Sequence, residues 1–255
     1  MKMREPTPTT RRLRATIPWI GWCIAALATC AAVVLAIALQ DRLQIEARLR
    51  SSTALLAEHR GAAVKEGRPR LLLTGDSRAA GLGGDPLGPF TIVNRGLSGQ
   101  SSIELVARIG RDMAQLRPDH AVVIIGVNDL KPGDADERRV RQAAASIMEI
   151  AQIAEAMDVP LTICMVWPEA SAPGVRGMLL PEAFSSLVAQ LNDEIRAVAK
   201  KYRTGLVEVH QLLDPDGTSV SSELSKDTLH LNSKGNEILR RSILESIDDL
   251  GEDHD

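Results

Sequence analysis

From Pro69 onward the chain alternates strand-length apolar runs with helix-length amphipathic ones, and that alternation leaves few architectures open. Leu71 to Thr74, Phe90 to Val93, Ala121 to Ile125, Leu161 to Val166 and Gly205 to Val209 are five candidate strands. After the second of them, Ser101 to Glu104 has the spacing of a capping box, and Ile103, Val106, Ile109, Met113 and Leu116 recur at helical spacing. Further helices are expected from about Ala135 to Met157, along the stripe Phe184, Leu187, Val188, Leu191, Ile195 and Val198, and from about Ser233 to Ile247. Strands separated by helices imply a parallel sheet, covered on both faces and joined by right-handed crossovers. The expected class is therefore α/β, doubly wound, with one core over residues 69–250. Ligands of such sheets bind beyond the carboxyl ends of the strands, so chemistry is to be sought in those loops.

Composition narrows the function classes. A charged fraction of 25%, an apolar fraction of 44% and a formal charge of -3 describe a globular chain with no electrostatic case for nucleic acid as a partner. Only 2% of the residues are aromatic, so the core must be built from Leu, Ile, Val and Ala, and a broad stacking platform for bases or sugars is not expected. Cys23 and Cys30 lie in an apolar run, which leaves Cys164 alone in the folded part; it sits in a strand pattern and reads as a small core residue. No Cys/His spacing resembles a metal site, and neither a metal nor another cofactor is implied.

The amino terminus reads differently. Residues 17–39 carry no charge, and their 23-residue length suits a helix crossing a bilayer. Lys2, Arg4, Arg11, Arg12 and Arg14 precede this run, and Trp19 and Trp22 sit near its start, so the basic flank is expected in the cytoplasm and the rest of the chain outside it, periplasmic or extracellular. A cleaved signal peptide is the rival, with Ala36-Ile37-Ala38 as a small-residue cleavage site. The expected organisation is a basic tail over 1–16, a transmembrane anchor over 17–39, a helical stalk over 40–68, the α/β domain over 69–250 and an acidic tail over 251–255.

Strand one runs into Gly75-Asp76-Ser77-Arg78, strand two into Asn94-Arg95-Gly96-Leu97-Ser98-Gly99, and strand three into Gly126-Val127-Asn128-Asp129. Strand four ends at Trp167-Pro168, and the loop after strand five delivers Asp227-Thr228-Leu229-His230. Each cluster alone is ordinary turn composition. Together, on one rim, they offer a hydroxyl nucleophile, a base, a carboxylate to orient it and donors for an oxyanion, the four parts an ester hydrolase needs. Among the histidines, His59 belongs to the stalk, His254 to the tail and His120 to the amino end of a strand. His210 follows strand five without an Asp at short spacing, whereas His230 has Asp227 three residues earlier, so His230 is the preferred base.

These blocks and their order resemble the SGNH hydrolases, also called GDSL-type esterases and lipases, over roughly residues 70–248. The resemblance implies a flavodoxin-like α/β/α sandwich with a five-stranded parallel sheet, and carries roles onto matching positions. Ser77 takes the place of the nucleophile, His230 of the base and Asp227 of its orienting carboxylate. The N–H groups of Ser77 and Gly96 and the amide of Asn128 take the places of the oxyanion donors. The chain departs from the pattern at Arg78, where the family shorthand has Leu. Arg78 is a candidate for attracting an anionic part of the substrate, or for pairing with a carboxylate such as Asp129 and holding two loops together. Trp167 is a candidate pocket wall beside a lid over Pro168 to Leu180, or else closes the core at the sheet edge.

The implied function is a membrane-anchored serine esterase acting on a small acyl group, such as acetyl on a glycan or cell-envelope polymer. An O-acyltransferase using the same triad and a non-catalytic binding or assembly domain are the alternatives. With an unperturbed pKa of about 6.5, raised if Asp227 stabilises the imidazolium, His230 would give a rate that falls on the acid side.

Overall fold

In a computed structural model the chain divides into two compact units, Met1–Arg60 and Gly61–Asp255. The structure describes residues 67–131, 135–170, 183–215 and 217–252, together with Trp22, Ala28, Thr29 and Ala32, which are helical. The expected tail, anchor and stalk over 1–68 thus lie almost wholly outside the described residues, as do residues 171–180 of the expected lid. Among the described residues no helix is long and apolar enough to cross a membrane.

All five expected strands form: β1 (Arg70–Gly75), β2 (Thr91–Gly96), β3 (His120–Ile124), β4 (Leu161–Cys164) and β5 (Gly205–Val207). They make one parallel sheet in the order β2-β1-β3-β4-β5. The central strands are apolar almost without interruption, as strands buried on both faces must be: Leu71 to Leu73 on β1 and Ala121 to Ile124 on β3 are all buried. Between them run α1 (Ser77–Gly81), α2 (Ser102–Leu116), α3 (Val127–Leu130), α4 (Glu137–Ala156) and α5 (Phe184–Tyr202), with α6 (Ser233–Glu252) last. Helices α2, α4 and α5 pack side by side, while α6 lies on β4 and β5. From α6, Asn236 and Arg240 donate to the carbonyls of Gly81 at the end of α1 and of Leu82, Asp85 and Pro86 just beyond it. The core is aliphatic, with Trp167 and Phe184 as its large aromatic members.

The sequence reverses direction across the sheet after β2, so β1 and β3 are neighbours whose following loops diverge, the point where doubly wound folds open a crevice. Ser77 and Asn128 sit on the first turns after those two strands. The entry to the first turn depends on Gly75, whose φ of +137° suits glycine and whose added Cβ would fall 1.8 Å from the Ile124 carbonyl oxygen. Gly75→Ala is expected to destabilise the domain by about 3 kcal/mol or more, strain at positive φ adding to overpacking. Chemical denaturation would show this as a lowered midpoint; an unchanged midpoint would mean that the β1–α1 junction tolerates a side chain.

Candidate active site

Two helices too short to show periodicity build the centre of the rim. Asp76 ends the extended chain, its N–H donating to the Ile124 carbonyl at 3.0 Å, and its carboxylate caps α1 by accepting from the Arg78 N–H at 2.8 Å. Burial pushes the Asp76 carboxyl up to about 6, against the pull of Arg78 and of that N–H. Asp76 is therefore a buried cap. Its neighbour Ser77, at the first position of α1, is only half-buried.

The loop between β5 and α6 brings the histidine to this serine. Asn232 anchors it, donating through its amide to the Glu223 carbonyl at 2.7 Å, while the backbone closes between Lys226 N–H and the His230 carbonyl at 2.8 Å. Within that turn Asp227 Oδ1 accepts from the N–H groups of Leu229 and His230 at 2.9 and 3.0 Å, and His230 Nδ1 lies 2.9 Å from the same oxygen. The carboxylate can only accept here, so Nδ1 carries the proton and Nε2 is left with its lone pair. Ser77 Oγ is 2.8 Å from Nε2. Sequence elimination among the histidines thus reaches the residue beside Ser77. His210 is exposed on a short 3-10 turn, and His120 is buried against Thr162 with its pKa pushed down to about 4 by burial. Cys164 is buried too, its thiol pushed up to about 12, and is no nucleophile at neutral pH.

Burial alone would raise the Asp227 carboxyl, but the Leu229 N–H, the imidazole and the His230 N–H outweigh it and hold the group below its usual value. For His230 the balance differs from expectation. Burial, with smaller contributions from Arg78 and Lys131, overrides Asp227 and places the imidazole below its ordinary pKa. A base must be neutral to accept a proton, so a lowered pKa extends activity to more acid solution. The acid limb of kcat/KM is expected to have its midpoint below about 6.5. A measured midpoint above 7 would show that the Asp227 pairing dominates after all.

Asn128, on the first turn after β3, is held at both ends of its amide. Asn128 Nδ2 donates one hydrogen to the Gln100 carbonyl at 2.9 Å, and Lys131 Nζ donates to Asn128 Oδ1 at 2.7 Å. A lysine only donates, so the amide oxygen must face it; the amide is locked, with a second N–H to give. Lys131 went unnoticed in the sequence because no pattern there reports on its contact with Asn128. The Gln100 loop is itself held, since Arg108 donates to the Gln100 side chain and to the Arg95 carbonyl while pairing with buried Asp112.

Gly96, expected as an oxyanion donor, sits in the packing between β2 and α1. Its N–H already donates to Asn94 Oδ1 at 2.9 Å, and a Cβ there would lie 2.3 Å from the Ala80 nitrogen. It is the glycine that lets α1 approach β2. Gly99, with φ +76°, closes the turn in which Gln100 N–H bonds the Leu97 carbonyl at 3.1 Å, and among the described residues its own N–H makes no hydrogen bond. Gly99, unlike Gly96, falls where the chain has left the strand and must turn.

The expected wall residues also move inward. Trp167 is 1% exposed and Arg78 is 4% exposed, so both lie beneath the rim and belong to the packing. Arg78 does not pair with Asp129, whose carboxylate instead accepts from the N–H and hydroxyl of Ser102 at the start of α2.

Residues 66–238 match the sequence pattern of the GDSL-like lipase/acylhydrolase family. The chain belongs to that family. Its match covers more than half the sequence and contains every residue of the rim, so the protein is a hydrolase of the GDSL type. Among curated proteins none matches it. Solved structures do. A GDSL-like lipase from Bacteroides thetaiotaomicron VPI-5482 shares 22% identity over 79% of this chain and 97% of its own, with a TM-score of 0.62. An acetylxylan esterase from Geobacillus stearothermophilus shares 17% identity over 72% of this chain and 96% of its own, with a TM-score of 0.56. An α/β hydrolase from the metagenome of Lake Arreo, Spain, shares 20% identity over 71% and 96%, with a TM-score of 0.54. At these identities the likeness is one of fold. Within the GDSL-like family pattern, Arg78 remains the departure at the position that the shorthand gives to Leu.

Proposed function

We propose that this GDSL-like hydrolase cleaves an ester through a Ser77–His230–Asp227 triad. The observation that carries the reading is the continuous chain of contacts from Ser77 Oγ through both imidazole nitrogens to the Asp227 carboxylate, at 2.8 and 2.9 Å. In the first half-reaction Ser77 Oγ attacks the carbonyl carbon while its proton passes to His230 Nε2. The tetrahedral intermediate collapses, the C–O bond to the alcohol breaks, and the departing oxygen takes the proton back from Nε2. Water then attacks the acyl-serine with His230 again as base, and the acid leaves. The Ser77 N–H, the Gly99 N–H and the free hydrogen of the Asn128 amide are the donors assigned to the oxyanion.

The substrate assigned is a small acyl ester, such as acetyl on a glycan or envelope polymer. Two facts favour it: the rim presents no exposed aromatic surface among the described residues, Trp167 being buried, and acetylxylan esterase activity occurs on this same fold. The uncharged run of 17–39, flanked by basic residues on its amino side, supports a single membrane span with the hydrolase domain outside the cytoplasm.

A fluorophosphonate probe on the full chain in membranes, read by peptide mapping, tests the nucleophile, and acetyl esters with and without a sugar acceptor test the reaction. Labelling confined to Ser77 with release of free acetate is the expected result. Acetate appearing only on the acceptor would make the enzyme a transferase, and an unlabelled, folded chain would remove the triad.

A further inference from the structure

His230 sits in a long connection between β5 and α6, outside any helix or strand, yet its ring must hold position against a serine on a different part of the chain. Misplacement by about 1 Å is enough to cost a reaction of this kind on the order of 100-fold. The residue before it, Leu229, is buried, and its carbonyl is met by two side-chain donors: Arg78 Nε at 3.2 Å and Trp167 Nε1 at 3.1 Å. A carbonyl oxygen has two lone pairs, so both can be accepted at once. The guanidinium carbon lies 4.1 Å from the centroid of the Trp167 ring, so the two donors also stack on one another.

We propose that Arg78 and Trp167 form a clamp on the Leu229 carbonyl that positions His230 for proton transfer from Ser77. The inference rests on the triad reading above. Three features favour it over simple core filling. Burying a guanidinium is costly, and Arg78 keeps one nitrogen, Nη2, buried without a partner, so what it does contact must compensate. A leucine, as in the family shorthand, would fill the space without that cost. Arg78 also follows Ser77 directly in α1, and Trp167 follows β4 across the sheet, so the clamp ties the nucleophile's own helix to the loop that carries the base. Both are therefore positioning residues, acting through Leu229.

The test uses Trp167→Phe, which keeps an aromatic ring and removes the five-membered ring with its N–H, together with Arg78→Leu, Arg78→Lys and the double variant Arg78→Leu/Trp167→Phe in the full chain. Expected are a fall in kcat of about 10- to 100-fold in Trp167→Phe and Arg78→Leu, with KM within about threefold, and a parallel slowing of fluorophosphonate labelling. Arg78→Lys should recover part of the loss, since it keeps a donor and a charge but not the planar stack. The double variant should lose little beyond the worse single, because both residues act on one carbonyl. The charged groups facing His230 are Asp227 on its own loop, Arg78 and Lys131, so Arg78→Leu should also move the acid limb upward, and Arg78→Lys, which keeps the charge, should move it less. If Arg78→Leu does not fold, Trp167→Phe decides the matter. Folded Trp167→Phe labelled at the wild-type rate, or losses that multiply in the double variant, would overturn the clamp while leaving the triad in place. Absence of labelling at Ser77 in the wild type would overturn the triad first.

Discussion

Ser77→Ala is expected to lower kcat on a short-chain ester by about 10⁴- to 10⁶-fold while leaving the fold and KM close to those of the wild type. Alanine keeps the α1 backbone, and with it the Ser77 N–H assigned to the oxyanion, so only the attacking oxygen is removed. The barrier should rise by about 5 to 8 kcal/mol, at 1.36 kcal/mol for each factor of ten. His230→Ala should cost nearly as much, and the double variant little more than either, because a nucleophile without its base and a base without its nucleophile fail at the same step. Steady-state kinetics on the three variants would show this as strong non-additivity. Independent, multiplying losses would mean that the contact between Ser77 Oγ and His230 Nε2 is not the one used in the reaction.

What could be read in the residues, and what could not, follows from the range over which each signal acts. The five strands and four long helices are legible because each buries a repeated face. The stripe of Phe184, Leu187, Val188, Leu191, Ile195 and Val198 is buried throughout along α5. Helices α1 and α3, of five and four residues, are too short to repeat anything, and they hold Ser77 and Asn128. The proposed base was legible because Asp227 and His230 are close in sequence, so their contact is local. On the second loop two glycines compete, and only φ and the Asn94 contact separate Gly96, which packs, from Gly99, which turns. Arg78 and Trp167 were out of reach for a different reason. Their shared acceptor is a backbone carbonyl, that of Leu229, and no side-chain pattern in the sequence reports on it.

The second large effect belongs to Asp227. Asp227→Asn is expected to lower kcat by about 10⁴-fold with little change in thermal stability. Oδ1 accepts from the N–H groups of Leu229 and His230 as well as facing the imidazole, and an asparagine oxygen can keep both backbone contacts. The amide nitrogen then takes the place of Oδ2, which lies 3.0 Å from His230 Nδ1 and shares that ring nitrogen with Oδ1. A nitrogen that donates there competes with Oδ1 for Nδ1 and favours the tautomer with the ring proton on Nε2, which points at Ser77 and then has no lone pair to receive the serine proton. Geometry is retained while the reactive tautomer is disfavoured. Asp227→Ala separates this from loop support, since it also removes the acceptor for both backbone N–H groups and should lower stability by about 1 kcal/mol or more along with activity. An Asp227→Asn enzyme within tenfold of wild type, with its fold intact, would show that the imidazole is held in the reactive tautomer by something other than this carboxylate.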